Sequence, residues 1–302
     1  MHANAGRILL VLPVLMVALA ASAVAQDQHI DASIDGKPAL RTMIAPFDPD
    51  RAEETYKVYT HIYAPGDGAL LTKGPGGLYP HHRGLFIGWN DTLVPNEKGK
   101  VTDYDTWHMS NCYQQLAAHA SDDAAQRLEI DWSDRDGEPF IKEQRTITAA
   151  MQDGMLVVDF TSAITSLRGA IELRGDLQHA GMQVRLANEL SDRQEETEYI
   201  LPESAEVRPN DEVLGAWWAC CSAEIEGARR WVLHMTAPDH PTGVPVYSIR
   251  AYGRFGAFSE HDLVEGEPLS LHYRVIASDA PLDRAACEAL YAAYAAERTS
   301  AP

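Results

Sequence analysis

Beyond Ile34 the chain is a succession of short extended segments, each cut off by a turn signal, and this pattern limits its fold more than any other feature. Residues 145–151 (RTITAAM) and 155–164 (MLVVDFTSAI) flank Gln152-Asp153-Gly154, which predicts a hairpin with a tight glycine turn. Residues 170–173, 182–186, 231–235, 246–250 and 269–276 are further strand candidates, and glycine- and proline-rich turns at 65–68, 74–77, 238–243 and 265–268 separate them from their neighbours. A single helix is predicted at the end of the chain. Pro281 suits its first turn behind Ser278 and Asp279, and Leu282, Ala286, Leu290, Tyr291 and Tyr294 share one face. The chain has no βαβ alternation, Gly-x-Gly-x-x-Gly or Walker loop, which disfavours nucleotide folds. The expected fold is all-β: one large antiparallel β-sandwich over residues 26–302 with a short C-terminal helix.

Residues 1–25 read as a removable leader. His2 and Arg7 make a weakly basic head, residues 8–20 are apolar apart from Pro13, and Ala23-Val24-Ala25 has the small-x-small form of a cleavage site. The expectation is therefore an exported protein, periplasmic or secreted, with no membrane insertion once the leader is cut. Lys and Arg total 25 against 44 Asp and Glu, a formal charge of −19, and no basic stripe offsets it. Such a surface repels phosphate backbones, so nucleic acid is not an expected partner. Cys112, Cys220, Cys221 and Cys287 are too few and too scattered for a stapling framework, which leaves one bridge or buried free thiols.

Three stretches concentrate groups capable of chemistry. Tyr79-Pro80-His81-His82-Arg83-Gly84 sets two imidazoles and a guanidinium beside a glycine that lets backbone approach a ligand. In Asp105-Thr106-Trp107-His108 a carboxylate three residues before an imidazole can orient it or share a cation with it. In residues 178–185 (QHAGMQVR) a strand would put His179, Gly181, Gln183 and Arg185 on one face and Ala180, Met182 and Val184 on the other. That face is either a polar ligand groove or a solvated surface. Later, Arg250 and Arg254 interleave with Tyr252 and Phe255, where Arg250 suits hydroxyl or anion binding and Tyr252 proton donation. The candidate catalytic groups are thus His82, His108, His179 and Tyr252, and the candidate substrate-binding groups His81, Arg83, Trp107, Gln183, Arg185 and Arg250. A divalent metal, if present, is expected on His82, His108 and His179 with Asp105, and protonation would release it below a histidine pKa of roughly 6.5.

Taken in order, PHHRGLFIGWND, YDTWHM, HAGMQVRLANE, TAPDHP and the RAYGRFGAF…LVEGEPLSLHYRV tail resemble a bacterial family labelled "methane oxygenase PmoA", from about Asp31 to the final helix. The resemblance implies an exported protein of glycan-degrading bacteria. The tail alone is also similar to aldose-epimerase-like proteins, which implies a galactose-mutarotase-like supersandwich with histidines and carboxylates on the face of a large sheet. Together these readings predict a carbohydrate substrate and an enzyme that cleaves a glycosidic bond as a lyase or glycoside hydrolase. A non-catalytic glycan-binding sandwich and a sugar epimerase or mutarotase are the alternatives.

Overall fold

The computed structural model describes residues 28–96, 98–122 and 124–300; the proposed leader lies outside them. The extended segments form a nine-stranded, an eight-stranded and a small four-stranded sheet, with antiparallel pairing between neighbouring strands. The two large sheets pack face to face. Trp89 of one and Trp132 of the other lie 6.2 Å apart between ring centroids, and His234 Nδ1 meets the Tyr247 hydroxyl across the same interior at 2.9 Å.

The predicted hairpin forms. Strands Pro139–Gln152 and Met155–Ser166 pair with Gln152 opposite Met155, so Asp153 and Gly154 alone make the turn. Both have positive φ, 50° and 78°, the backbone twist that suits adjoining strands. The terminal helix runs Arg284–Ser300, three residues later than Pro281 predicts. Ser278 is occupied by Ala280 and Asp279 by Arg230, so Asp283 takes the first turn, accepting from the Ala286 N–H at 2.8 Å. All four cysteines are free and buried, the second of the two alternatives the sequence left open.

Period-two alternation explains the strands that position the site. In Leu85–Trp89, the side chains of Leu85, Ile87 and Trp89 enter the core between the sheets, while Phe86 faces outward against Tyr59 and Trp107. The neighbouring strand Ala180–Arg185 sends Ala180, Met182 and Val184 into the core and Gln183 and Arg185 outward. Both strands are nevertheless buried on both faces. The segments around residues 73–84 and 105–109 cover the outward face and carry the polar residues of interest. Gly88 permits this: a Cβ there would stand 2.5 Å from the Thr106 carbonyl oxygen, where Thr106 and Trp107 N–H bond to the Trp89 carbonyl. Gly88→Ala should therefore push the 105–108 turn off the strand and cost about 1–3 kcal/mol, read as a lower Tm. An unchanged Tm would show that the contact relaxes freely.

Candidate functional site

Two turns of the same design present His108 and His179. In each, an aspartate three residues upstream uses one oxygen to cap the turn and the other to hold the imidazole. Asp105 Oδ1 accepts from the His108 N–H at 2.7 Å while Oδ2 meets His108 Nδ1 at 2.8 Å. Asp176 Oδ1 accepts from the Gln178 N–H at 2.8 Å while Oδ2 meets His179 Nδ1 at 2.8 Å. Each carboxylate fixes its ring and leaves Nε2 to face the site. Burial, the largest single influence, would raise both carboxyls, but the bonds from the histidines and from backbone N–H groups, together with nearby positive charge, hold them below the usual range.

His81 completes the set from the turn in which the His82 N–H bonds to the Tyr79 carbonyl. Its ring centroid is 4.3 Å from that of His108 and 6.3 Å from that of His179, and the latter two are 4.8 Å apart. One ring nitrogen from each of the three lies within 4.8 Å of the others, close enough to share one ion. His81 Nε2 is buried without a hydrogen-bond partner. Burial, followed by the neighbouring Lys57, His108 and His179, pushes the His81 pKa down to about 2. Burial also lowers His179 against the opposing pull of Asp176. Neutral imidazole is the form that binds metal, so for these two rings the acid release expected near 6.5 moves to lower pH.

His82 occupies a different position from the one expected of it. It is 2% exposed, with both ring nitrogens lacking partners, and lies under His81 between Trp107 and Tyr252. His81 therefore takes its place in the histidine cluster, because successive side chains diverge and only His81 points at His108 and His179. Asp105 orients His108 and is not grouped with the ligands. Tyr252 stands at the margin, 4.9 Å from the exposed ring of Tyr79.

Several expected binding residues have no solvent-facing surface to offer. Trp107 is a fully buried floor packed on Phe86. Arg83 is 1% exposed, sandwiched between the Tyr56 and Tyr59 rings and bonded to the His82 carbonyl. Gln183 accepts from Arg254 at 3.1 Å, and Arg185 binds the Tyr252 carbonyl and Ser191. The outward face of Ala180–Arg185 is thus neither an open groove nor solvated, but a buried polar layer beneath the histidines. Arg250 is held away from them by Asp211 and Asn210. Arg250→Ala should change stability by no more than about 1 kcal/mol and leave ligand binding intact; a lost binding isotherm would return it to the site. Trp89 and Trp218 are also core, and Trp217 stacks on Tyr291, so the tryptophan platform that glycan binding would use does not form from them.

Sequence reasoning overlooked Asp176 and Lys57. The first was detectable, since Asp-x-x-His occurs at both 105–108 and 176–179. Lys57 donates to the carbonyls of His81 and Trp107, tying two ligand-bearing turns together, and nothing local in the sequence signals it.

Fold and site define an antiparallel β-sandwich protein with three imidazoles gathered on the outward side of its larger sheet. Residues 29–292 match the model of a family of unknown function, DUF6807, and the chain belongs to that family. This match does not support the methane oxygenase label that the motifs suggested, and no described helix is long and apolar enough to cross a membrane. No curated protein matches the sequence. Among solved structures, the chain is similar to a galactose mutarotase-like protein from Lactobacillus casei at 9% identity and TM-score 0.49, covering 82% of this chain and 99% of that one. A galactose mutarotase related enzyme from Lactobacillus acidophilus matches at 8% identity and TM-score 0.44, covering 82% and 97%. A polysaccharide lyase matches at 13% identity and TM-score 0.39, covering 80% and 33%.

Proposed function

We propose that this is an exported enzyme that cleaves a glycosidic bond at a divalent-metal centre held by His81, His108 and His179. The observation that carries the reading is the convergence of three imidazoles, two of them oriented by carboxylates three residues upstream. Three protein ligands leave a coordination position for substrate or water, which is the arrangement of a catalytic site, whereas structural sites close with four. Imidazole donors suit zinc and its first-row neighbours, and the four buried thiols are not part of the cluster.

The sugar assignment rests on the rim. Tyr79 is 42% exposed, has a left-handed backbone with φ 53°, and lies against Tyr252 and the two histidines of its own turn. An exposed aromatic face beside polar donors suits a sugar ring, and a non-glycine residue at positive φ is the kind of strain found at functional sites. Hydrolysis by two carboxylates does not fit, since Asp105 and Asp176 are both committed to histidines. Elimination fits better: a divalent ion held by the imidazoles would supply polarising charge. Tyr252 at the margin would take the proton alpha to the electron-withdrawing group and pass it to the glycosidic oxygen as the C–O bond breaks and a C=C bond forms.

The test is to strip the protein with chelator, titrate it with Zn²⁺, Ni²⁺ and Mn²⁺ by calorimetry, and incubate both forms with a glycan panel read by mass spectrometry. One ion should bind per chain. An unsaturated product should appear only in the loaded form, whereas new reducing ends without unsaturation would indicate hydrolysis. Full activity after exhaustive chelation, with no metal by elemental analysis, would overturn the metal centre.

A further inference from the structure

Seven Lys and Arg side chains are buried among the described residues: Lys57, Lys73, Arg83, Arg145, Arg185, Arg230 and Arg254. Two of them have acids. Arg145 pairs with Glu143 in the core, and Arg230 pairs with Asp67 and Asp279. The other five form no ion pair with any described carboxylate, and all five lie around the same turn. Lys57 bonds the His81 carbonyl, Lys73 and Arg83 the His82 carbonyl, and Arg185 the carbonyl of Tyr252, whose ring stacks on His82. Arg254 lies in the layer below, on Gln183 and Ser248.

This concentration is not a by-product of a basic chain, since the whole sequence carries −19. Buried charge without a counter-ion is costly, and backbone carbonyls neutralise none of it. The same layer also holds polar groups without partners: the donors Trp107 Nε1, Arg185 Nε and Arg254 Nε, and both ring nitrogens of His82, one a donor and one an acceptor in the neutral ring. Trp107 is fully buried and His82 is 2% exposed. A metal ion on the three imidazoles would make this region still more positive. Negative charge would complement this layer, and the partly exposed rings of His108 and His179 are where it can approach.

We propose that the substrate is an anionic sugar, whose oxyanion, a uronate carboxylate or a sulfate ester, is drawn to the imidazole centre by the buried basic groups without acids beneath it, the guanidiniums of Arg83, Arg185 and Arg254 foremost. This deepens the reading above and rests on the imidazoles being the substrate site. The cations act through their field more than by contact, and burial shields that field from screening by salt. For a uronate, the same field would stabilise the charge that accumulates on the carboxylate during elimination.

The experiment measures binding of four oligosaccharides to the full-length mature protein, metal-loaded and chelated: oligogalacturonate, its methyl ester, a sulfated galactan oligomer and a neutral galactan oligomer. The acid should bind at least about tenfold more tightly than its methyl ester, which keeps the shape and removes the charge. A preference for the sulfated oligomer over its neutral counterpart, without one for the uronate, supports the anionic class and makes sulfate the oxyanion. Equal affinity for acid and ester together with equal affinity for sulfated and neutral oligomers overturns the inference, and so does failure of all four to bind. Metal content is read on the same samples. Preference for the charged sugar in protein that takes up no ion when metal is offered would overturn the metal centre alone and leave this inference standing.

Discussion

Replacing Asp105 and Asp176 together by Asn should weaken divalent-ion binding by about 10²–10⁴-fold while the metal-free protein keeps its fold. Each carboxylate holds Nδ1 of its histidine at 2.8 Å, which fixes the proton on that nitrogen and leaves the Nε2 lone pair for the ion. Asparagine is the same size but uncharged, and its amide can rotate to donate to Nδ1, which moves the ring proton to Nε2 and blocks the ligand. Loss of such a partner ordinarily costs about 10–100-fold in affinity, and the two partners act on different rings, so their effects should multiply. The turns themselves should survive, because asparagine caps the same backbone N–H groups through its side-chain oxygen. Calorimetric titration with Zn²⁺ in competition with a chelator reads the affinity, and the Tm of the metal-free variant reads the fold. An affinity within a few-fold of the parent, with Tm unchanged, would mean that the imidazoles do not share an ion.

The architecture was legible because it is written in local alternation. Leu85, Ile87 and Trp89, and likewise Met182 and Val184, enter the core as period two requires, and Asp153-Gly154 makes the turn that the sequence announces. The site was legible only as a set of motifs. His108 and His179 lie in turns whose internal bonds span three residues, so a local reading reaches them. The choice of His81 over His82 depends on how the 79–84 segment folds back over the sheet, and no local pattern encodes that. Arg185 and Gln183 show the same limit from the other side. Their alternation was correct, but what covers their face includes Tyr252 and Arg254, about 70 positions away in the chain. Local sequence gives the face on which a side chain lies, and only tertiary packing decides whether that face meets water, ligand or another loop.

Acid should unfold this protein well above the pH at which its carboxylates titrate. His61, His234, His240 and His261 are at most 7% exposed and stay neutral in the fold. Burial pushes His61 and His240 down to about 4 and His234 and His261 down to about 3. In the unfolded chain each titrates near the ordinary value of about 6.5, so between there and about 4 the unfolded state binds more protons. Stability therefore falls as pH falls through that window, at up to about 5 kcal/mol per pH unit with all four contributing. By pH 5 each histidine costs about 2 kcal/mol, or about 8 kcal/mol together, which is comparable to the whole stability of an ordinary domain. The location of the groups makes the loss cooperative. His234 holds the Tyr247 hydroxyl between the two large sheets, and His240 contacts both His261 and Tyr273, so protonation drives apart the layers that form the sandwich. Tm measured in chelated protein from pH 7.5 to 4.5 should drop steeply below about pH 6. Substituting His240 by Gln should remove about one proton from the slope of stability against pH, whatever it does to the absolute Tm. A Tm that stays level from pH 7 to pH 5 would mean that these histidines take up protons in the folded protein as readily as in the unfolded chain, and would overturn the prediction.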